Sequence, residues 1–402
     1  MMQNLISHEP AVLLLGMTMC LFMALYFFVD SKDSKSPRRF LAGFMFVYGL
    51  TFADNFLDTS GISLQYPHVT GLLVPSFFLL GPLIYFYIRD MCDSRAYILD
   101  KSRYRHFILP VISILLMSAF YMFPEQFKRT LLTGENIIPE TGFFLLGILG
   151  IMLVQIILPL QILYYLIRSY QILLQYFTRL KDFFANIEDQ RLDWLRILLL
   201  MMSVQWIIYA YDDLIGWPEH WHDVIDFYTT LVDVGIIYFL SFKGLRHVAI
   251  SGQEMTDRLS GEPKDRPVGS GNGARQKYAK SALSADDIKR ILSKLQHALE
   301  GDELFNDSML SLRSLSDHTR ISTNNISQAI NQSLECNFFD FINGFRIKEA
   351  MKQLRKSGED KIPVLEIAHA VGFNSKSTFN AAFKRHCGLT PTEYRRQQAS
   401  PD

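Results

Sequence analysis

Long apolar segments separated by short polar breaks fill the first part of the chain, and this pattern ends near residue 243. A helix needs about 20 residues to cross the hydrocarbon core of a bilayer, and seven segments come close to that length or exceed it. From Lys243 onward the chain is polar, charged and helically periodic, as in a soluble domain. The pattern predicts seven spans: Pro10–Val29, Phe40–Leu57, Gly71–Ile88, His106–Phe123, Gly142–Ile167, Trp194–Ile215 and Val224–Phe242.

Basic residues flank these segments on alternate sides. The first, third and fifth connections are rich in Lys and Arg, whereas residues 1–9, 58–70 and 216–223 contain none and the fourth connection contains only Lys128 and Arg129. Since short basic loops stay in the cytoplasm, the N-terminus is predicted to lie outside and the C-terminus inside. Core helices of a large soluble protein, the alternative, do not account for this alternation. The first segment lacks a basic flank on its N-terminal side, so it is predicted to be retained rather than removed as a signal peptide.

Composition divides the chain into three regions. The formal net charge is zero over 402 residues, which by itself indicates neither a nucleic-acid partner nor an acidic one. Residues 251–276 contain Gly, Pro, Ser and mixed charges with almost no large apolar side chain, as in a flexible linker. We therefore expect an all-α protein with a transmembrane domain at 1–243, a cytoplasmic linker at 244–280 and a soluble domain at 281–402.

The soluble region carries two similar helical patterns. Residues 284–300 predict a leading helix, and 312–334 predict a helix, a short turn and a second helix. Residues 363–387 repeat that arrangement, with Gly372 suited to the turn. Between the copies, residues 338–357 predict a helix of roughly 18 residues, or about 27 Å, which with its turns could place the two second helices about one DNA turn apart. The region therefore predicts two helix-turn-helix motifs on a common strut.

The outer faces of the two second helices carry side chains suited to DNA. Asn and Gln pair with adenine edges in the major groove, while Lys and Arg neutralise phosphates. From Arg320 to Gln397 there are 12 Lys and Arg against 7 Asp and Glu, a net charge of +5. A protein-binding helical module with a basic face would share this pattern. The predicted DNA-binding residues are Asn324, Asn325, Gln328, Asn331, Ser375, Lys376, Asn380, Lys384, Arg385, Arg395 and Arg396.

Two sequence stretches carry a resemblance to a known family. They are "IAHAVGFNSKSTFNAAFKRHCGLTPTEYR" and "FFDFINGFRIKEAMKQL", and residues 284–397 resemble the paired helix-turn-helix domain of the AraC/XylS transcription regulators. Ala381 stands at a position that is often basic in the family, and Glu335 with Cys336 replaces the usual glycine, so base specificity is not transferred. The layout resembles a membrane-bound subset of the family. This implies double-stranded promoter DNA as a partner, with RNA polymerase and a second copy of the chain as further candidates, and no cofactor.

Ionisable groups near the ends of the spans form a second candidate site. Such groups are costly in a bilayer and indicate function, although at the wet interface they cost little. A proton, a metal ion or a cationic small molecule could be held there, on the outer side. Asp233 differs because it lies near the middle of the seventh span and is expected to face other helices. The candidate sensing residues are Asp54, Asp58, Asp212, Asp213, His220, His222, Asp226 and Asp233.

The cytoplasmic extension of the fifth span is amphipathic. Residues 168–196 are expected to extend that span and to pack against a second copy, against the soluble domain or on lipid headgroups.

The predicted function is that of a transcription regulator embedded in the bacterial inner membrane. Its spans sense an unknown signal, and its soluble domain binds promoter DNA in the cytoplasm. The rival is a transporter or membrane enzyme with a fused DNA-binding module, since Pro75, Gly81, Pro82 and Pro159 resemble the breaks of transporter helices. No HExxH, P-loop or GxSxG motif occurs, and the four cysteines lack metal-ligand spacing. No catalytic residue and no metal-binding motif is therefore predicted.

Overall fold

A computed structural model describes residues 8–31, 37–92, 101–133, 142–188, 192–246, 283–356 and 362–399. These residues form helices, turns and one isolated antiparallel bridge between Phe184 and Ser311, so the all-α prediction is confirmed. The predicted linker lies almost wholly outside the described residues. Contacts divide the chain into an N-terminal unit, Met1–Leu174 with Leu192–Glu254, and a C-terminal unit, Gln175–Arg191 with Met255–Asp402.

Long apolar helices build the N-terminal unit. Seven helical segments in the described residues are long and apolar enough to cross a membrane, and they match the seven predicted segments in order. The first two pack against each other, and the last packs against the first. The main helices are α1 (Glu9–Asp30), α2 (Arg38–Thr59), α3 (Leu80–Cys92), α4 (Ile108–Tyr121), α5 (Gly142–Phe183), α6 (Asp193–Leu214) and α7 (Glu219–Arg246).

The third apolar segment is broken, as its prolines and glycines indicated. Short helices at Pro67–Val69 and Val74–Phe77 precede α3. Gly81, in the first turn of α3, lies against the ring of Tyr165 on α5: a Cβ atom there would be 2.5 Å from the ring. Pro159, by contrast, lies inside the continuous helix α5, and its carbonyl accepts a hydrogen bond from Trp206 Nε1 at 3.0 Å.

Two predicted boundaries were wrong. Helix α7 begins at Glu219 rather than at Val224, where the apolar segment begins. Its first residues are helical but polar, so hydropathy does not detect them. The extension of the fifth span does not continue as one helix to residue 196. It ends at Phe183, and residues 184–188 form a non-helical segment, apart from a single 3₁₀ residue, before α6. Hydropathy detects the length of an apolar segment. It does not change at Glu219, where α7 begins, or at Phe183, where α5 ends.

Seven helices of the C-terminal unit form a domain that we call the reader. Two buried clusters lie side by side in it, and the central helix supplies Ile342 to the first and Ile347 to the second. Both motifs are therefore fixed to one strut. The helices are α8 (Ala285–Glu300), α9 (Leu312–Thr319), α10 (Thr323–Leu334), the strut α11 (Phe338–Lys356), α12 (Val364–Ala370), α13 (Lys376–Cys387) and α14 (Pro391–Ala399).

Local capping signals set several of these boundaries. The Ser284 hydroxyl accepts from the amide of Asp287 at 3.1 Å and so caps the start of α8. At α14, Glu393 accepts from both the amide and the hydroxyl of Thr390 at 2.8 Å, and these bonds lower the pKa of its carboxyl. Gly388 ends α13 with φ +76°, a left-handed conformation that favours glycine.

Candidate DNA-binding surface and polar clusters

The first helix-turn-helix motif consists of α9 and α10. Helix α9 ends at Arg320 in the left-handed conformation, and the Ser322 hydroxyl caps α10 by accepting from the amide of Asn325 at 3.3 Å. The inner side of α10 buries Ile326 and Ile330 in the first core cluster. The opposite side of α10 is therefore free to face a ligand.

The second motif, α12 and α13, repeats this construction. Gly372 makes the turn with φ +91°, and a Cβ atom there would be 2.8 Å from the backbone oxygen of Asn306. The Ser375 hydroxyl caps α13 by accepting from the amide of Thr378 at 3.2 Å. Phe379 is fully buried under the helix. Each motif thus has a second helix that is buried on one side and polar on the other.

The predicted readout residues of the first motif lie on α10. Asn324 and Asn331 are exposed, while Asn325 and Gln328 are half-buried. Asn331 Nδ2 has one neighbouring acceptor, the Ser327 hydroxyl at 3.5 Å. The amide groups of this set therefore keep hydrogen-bonding capacity for base edges. Their role in DNA binding stays a prediction.

The predicted residues of the second motif differ in their surroundings. Lys376, Lys384 and Arg396 are exposed and Asn380 is half-buried. Two Arg side chains bind within the reader: Arg385 Nη1 lies 2.6 Å from Asp340 Oδ1 on the strut, and Arg395 Nη2 donates to the carbonyl of Ile362 at 2.6 Å. Ser375 also contacts Glu188, a residue of the segment that follows α5.

The strut determines how far apart the two motifs can be. With 19 residues, α11 is about 28 Å long at a rise of about 1.5 Å per residue. The capped starts of α10 and α13 belong to motifs at opposite halves of this helix, since the two core clusters use different residues of it. The length of the strut, about 28 Å, is of the same order as the distance of about 34 Å between successive major grooves.

A buried arginine in the strut was missed by the sequence analysis. Arg346 is fully buried and donates to the carbonyls of Phe305 and Asp307 at 2.8 Å each and of Ala185 at 3.2 Å. Burial lowers the pKa of its guanidinium to about 10, against the opposing effect of Asp307, so the group stays charged near pH 7. No sequence signal separates it from the exposed basic residues of the same helix. It joins three parts of the reader.

Three of the predicted sensing residues come together at the ends of α6 and α7. His222 Nδ1 lies 3.0 Å from Asp226 Oδ2, and His222 Nε2 lies 3.9 Å from Asp212 Oδ1. One ligand atom from each lies within 4.8 Å of the others, an oxygen and nitrogen set that could hold a cation. The set is half-exposed, and its sensing role stays a prediction. Glu9 on α1, which the sequence analysis missed, accepts from Thr230 Oγ1 on α7 at 3.3 Å.

The remaining sensing candidates have other surroundings. Asp58 accepts a hydrogen bond from the Ser63 hydroxyl just after α2, and Asp54 lies half-buried one turn earlier. The side chains of Asp213 and His220 fall outside the described part of the structure.

Asp233 lies inside the helix bundle, as its position in the seventh span predicted. Its two carboxylate oxygens accept from Tyr48 on α2 at 2.7 Å and from Tyr209 on α6 at 2.6 Å. Gln205, which is 4% exposed, has an unpaired Oε1 atom, and its Nε2 donates to the carbonyl of Thr229. Asp233 therefore links α2, α6 and α7 through a polar network.

The geometry of the reader defines a class: two helix-turn-helix motifs held on one helix, as in DNA-binding domains. Residues 315–397 match a family model described as "Helix-turn-helix domain". The chain is 27% identical over 128 residues to the "Uncharacterized transcriptional regulatory protein YesN" of Bacillus subtilis (strain 168), which is 31% of this chain and 34% of that protein. It is 30% identical over 87 residues to a protein of Streptomyces lividans described as an AraC-like transcription regulator, which is 22% and 28% of the two chains.

One solved structure is also similar. It is the C-terminal domain of AraT, a response regulator from Geobacillus stearothermophilus. The match is 28% identical in sequence, covers 30% of this chain and 93% of that chain, and has a TM-score of 0.24. The chain spans about a third or less of the length of the two relatives. The family model and the two sequence relatives identify the reader as an AraC-type helix-turn-helix domain and so confirm the resemblance for this part of the chain.

Proposed function

We propose that the protein is a membrane-integral transcription regulator. Its N-terminal unit crosses the bacterial cytoplasmic membrane seven times with the N-terminus outside, and its reader binds promoter DNA in the cytoplasm. The observation that carries the proposal is the pair of capped recognition helices, α10 and α13, on one strut of an AraC-type domain. The names of the two relatives, both regulators of transcription, support the same function.

The surface of the N-terminal unit supports membrane integration. Its helices leave many large apolar side chains uncovered, among them Phe22, Phe28 and Leu115 at 66%, 66% and 67% exposure. Soluble proteins rarely expose such continuous apolar surface, whereas lipid covers it at no cost. The alternation of basic loops then gives the orientation.

We propose that each recognition helix enters a major groove of the same DNA face. Asn325 on α10 and Lys376 on α13 are assigned to base edges, and Arg396 on α14 to phosphate. Phosphate contacts make binding depend steeply on salt but not on sequence, whereas base contacts discriminate between sequences. Substitution of a base-contacting residue should therefore reduce sequence preference, whereas substitution of a phosphate-contacting residue should weaken binding to all DNA and reduce its salt dependence.

The signal is proposed to act on the polar groups of the N-terminal unit. The cluster of Asp212, His222 and Asp226 suits a proton or a cation on the outer side, and the Asp233 network ties three helices together. A ligand that binds one helix arrangement more tightly than another shifts the population toward it. Coupling of this kind is typically worth about 1–3 kcal/mol, or roughly 5- to 150-fold in occupancy.

The test is DNA binding by the full-length protein in lipid nanodiscs, with fragments upstream of its own and adjacent genes. Asn325→Ala and Lys376→Ala should each reduce the preference for the specific fragment by about 1–3 kcal/mol and leave random DNA almost unaffected. Arg396→Ala should weaken both and reduce the salt dependence. A folded wild-type protein without preference for any of these fragments would contradict the regulatory function.

A further inference from the structure

The five residues after α5, 184–188, are bound to the reader. Phe184 forms an antiparallel bridge with Ser311, at the start of α9, and the Ala185 amide donates to the carbonyl of Leu310 at 3.0 Å. Ala185 is 1% exposed and belongs to the first core cluster of the reader. These residues, which separate two candidate membrane spans in sequence, therefore form part of the DNA-binding domain.

Arg346, on the strut α11, binds the same segment. Its Nη1 atom donates to the carbonyl of Ala185 at 3.2 Å, while its other nitrogens bind the turn that precedes α9. The guanidinium carbon also lies 5.5 Å from the ring centroid of Phe373, in the turn of the second motif. The segment is thus connected to the strut and, through Arg346, to the turn before α13.

The segment ends with an acid at the second recognition helix. The Glu188 carboxylate accepts hydrogen bonds from Ser375 Oγ, at the cap of α13, and from Thr378 Oγ1 in its first turn. The Asn186 side chain accepts from the amide of Glu188 at 3.1 Å and fixes the turn that presents this acid. A helix N-terminus carries partial positive charge and attracts an anion, so the carboxylate is electrostatically favoured there.

DNA would bring a different anion to the same place. The N-terminal residues of a recognition helix meet the groove and the adjacent phosphates, and Ser375 and Lys376 are the residues predicted to do so in this motif. A carboxylate bound to Ser375 and Thr378 occupies the hydroxyls and repels the phosphate. In this structure the second motif is therefore closed to DNA at its N-terminal end.

We propose that residues 184–188 are an intramolecular clamp and that Glu188 keeps α13 in a state that excludes DNA until the clamp is released. The inference rests on the proposed function and specifies how it is regulated. The clamp follows α5 without a linker, and α5 contributes its residues up to Leu174 to the N-terminal unit. A shift or rotation of α5 would therefore act on Glu188 directly.

The test compares variants of the full-length protein in nanodiscs on a promoter fragment to which the wild type binds. Glu188→Gln keeps the shape but removes the charge, and it should bind roughly 10-fold more tightly or more. Asp286→Asn, which removes an exposed acid from the first turn of α8, is the matched control and should stay within about twofold of wild type. Thr378→Val, which removes one donor to Glu188, should also tighten binding, and its effect should disappear in the Glu188→Gln background.

Footprinting locates the effect. The added protection in Glu188→Gln should fall on the half-site of α13, and the half-site of α10 should be unchanged. Amide hydrogen exchange of 184–188 should rise when the wild type is saturated with DNA, because the clamp has left. Glu188→Gln that binds no more tightly than Asp286→Asn, or a segment equally protected with and without DNA, would overturn the clamp while leaving DNA binding intact. If wild type and variants alike bind no DNA, the proposed function fails with it.

Discussion

Replacing Arg346 by Met tests whether the buried guanidinium holds the reader together. The Met side chain fills most of the space of the Arg stem but leaves three backbone carbonyls, those of Phe305, Asp307 and Ala185, without their donors. A hydrogen bond to a charged group contributes about 1.5–3 kcal/mol, and a buried acceptor left unpaired costs about 1–3 kcal/mol.

Part of this loss in free energy of unfolding is offset, because the variant no longer buries a charge and the desolvation of a buried charge costs several kcal/mol. Two of the bonds are short, at 2.8 Å, and one is longer, at 3.2 Å. We therefore expect a net loss of about 3 kcal/mol for Arg346→Met, which is roughly a 150-fold rise in the opening equilibrium. Arg346→Lys keeps the charge and can donate to one or two of the carbonyls, so it should lose about half as much.

Amide hydrogen exchange of the full-length protein is the assay, because the reader contains no Trp while the N-terminal unit contains all four. Protection in α9 and α10 reports on the opening of the first core cluster. Arg290→Met is the control: this side chain is 75% exposed, and its pair with Asp287 is a surface ion pair that contributes little to stability. A protection loss for Arg346→Met no larger than that of the control would refute the reasoning.

Two further predictions concern the turn of the second motif and the membrane topology. Gly372→Ala should destabilise the reader by about 2–4 kcal/mol, since the left-handed φ strains the new residue and its Cβ meets two backbone oxygens, whereas Gly388→Ala, in open space, should cost only about 1–2 kcal/mol; equal losses in hydrogen exchange would contradict this account. In a cysteine-free background, Ser60→Cys should react with an impermeant thiol reagent in intact cells and Tyr104→Cys should not, and the reverse result would overturn the orientation.

The helices of the reader could be predicted from the sequence because their signals are local. Ser284 and Ser375 lie before polar first turns, Gly372 stands where a left-handed residue is needed, and the apolar residues of each helix repeat at helical spacing. Such signals act within a few residues and do not depend on the rest of the fold. The two motifs and the strut therefore have the predicted order and nearly the predicted bounds.

The contacts on which the clamp proposal rests could not be predicted in this way. Arg346 and Ala185 are 161 positions apart, and Glu188 and Ser375 are 187 apart. Neither pair has a spacing or motif that indicates a contact. In the sequence, Arg346 and Glu188 look like the many exposed basic and acidic residues of the chain. For residues 168–196 the sequence allowed a second copy, the reader or headgroups as partners, and the structure shows the reader for 183–188.

The polar groups of the N-terminal unit lie between these cases. Hydropathy was enough to predict that Asp233 faces other helices, because a carboxylate facing lipid is costly. It could not identify Tyr48 and Tyr209 as its partners, since any of several spans could have supplied a donor. The association of Asp212 with His222 and Asp226 likewise depends on how α6 and α7 pack.

The central claim is that a protein embedded in the membrane binds specific DNA through its reader. The most direct measurement is formaldehyde crosslinking in growing cells, followed by isolation of the tagged full-length protein from the washed membrane fraction and sequencing of the bound DNA. The account predicts enrichment of a small set of promoter fragments that share two recognition elements about 10 base pairs apart, and loss of this enrichment in Asn325→Ala. Full-length protein in the membrane fraction without enriched DNA, or enrichment that Asn325→Ala leaves unchanged, would contradict it.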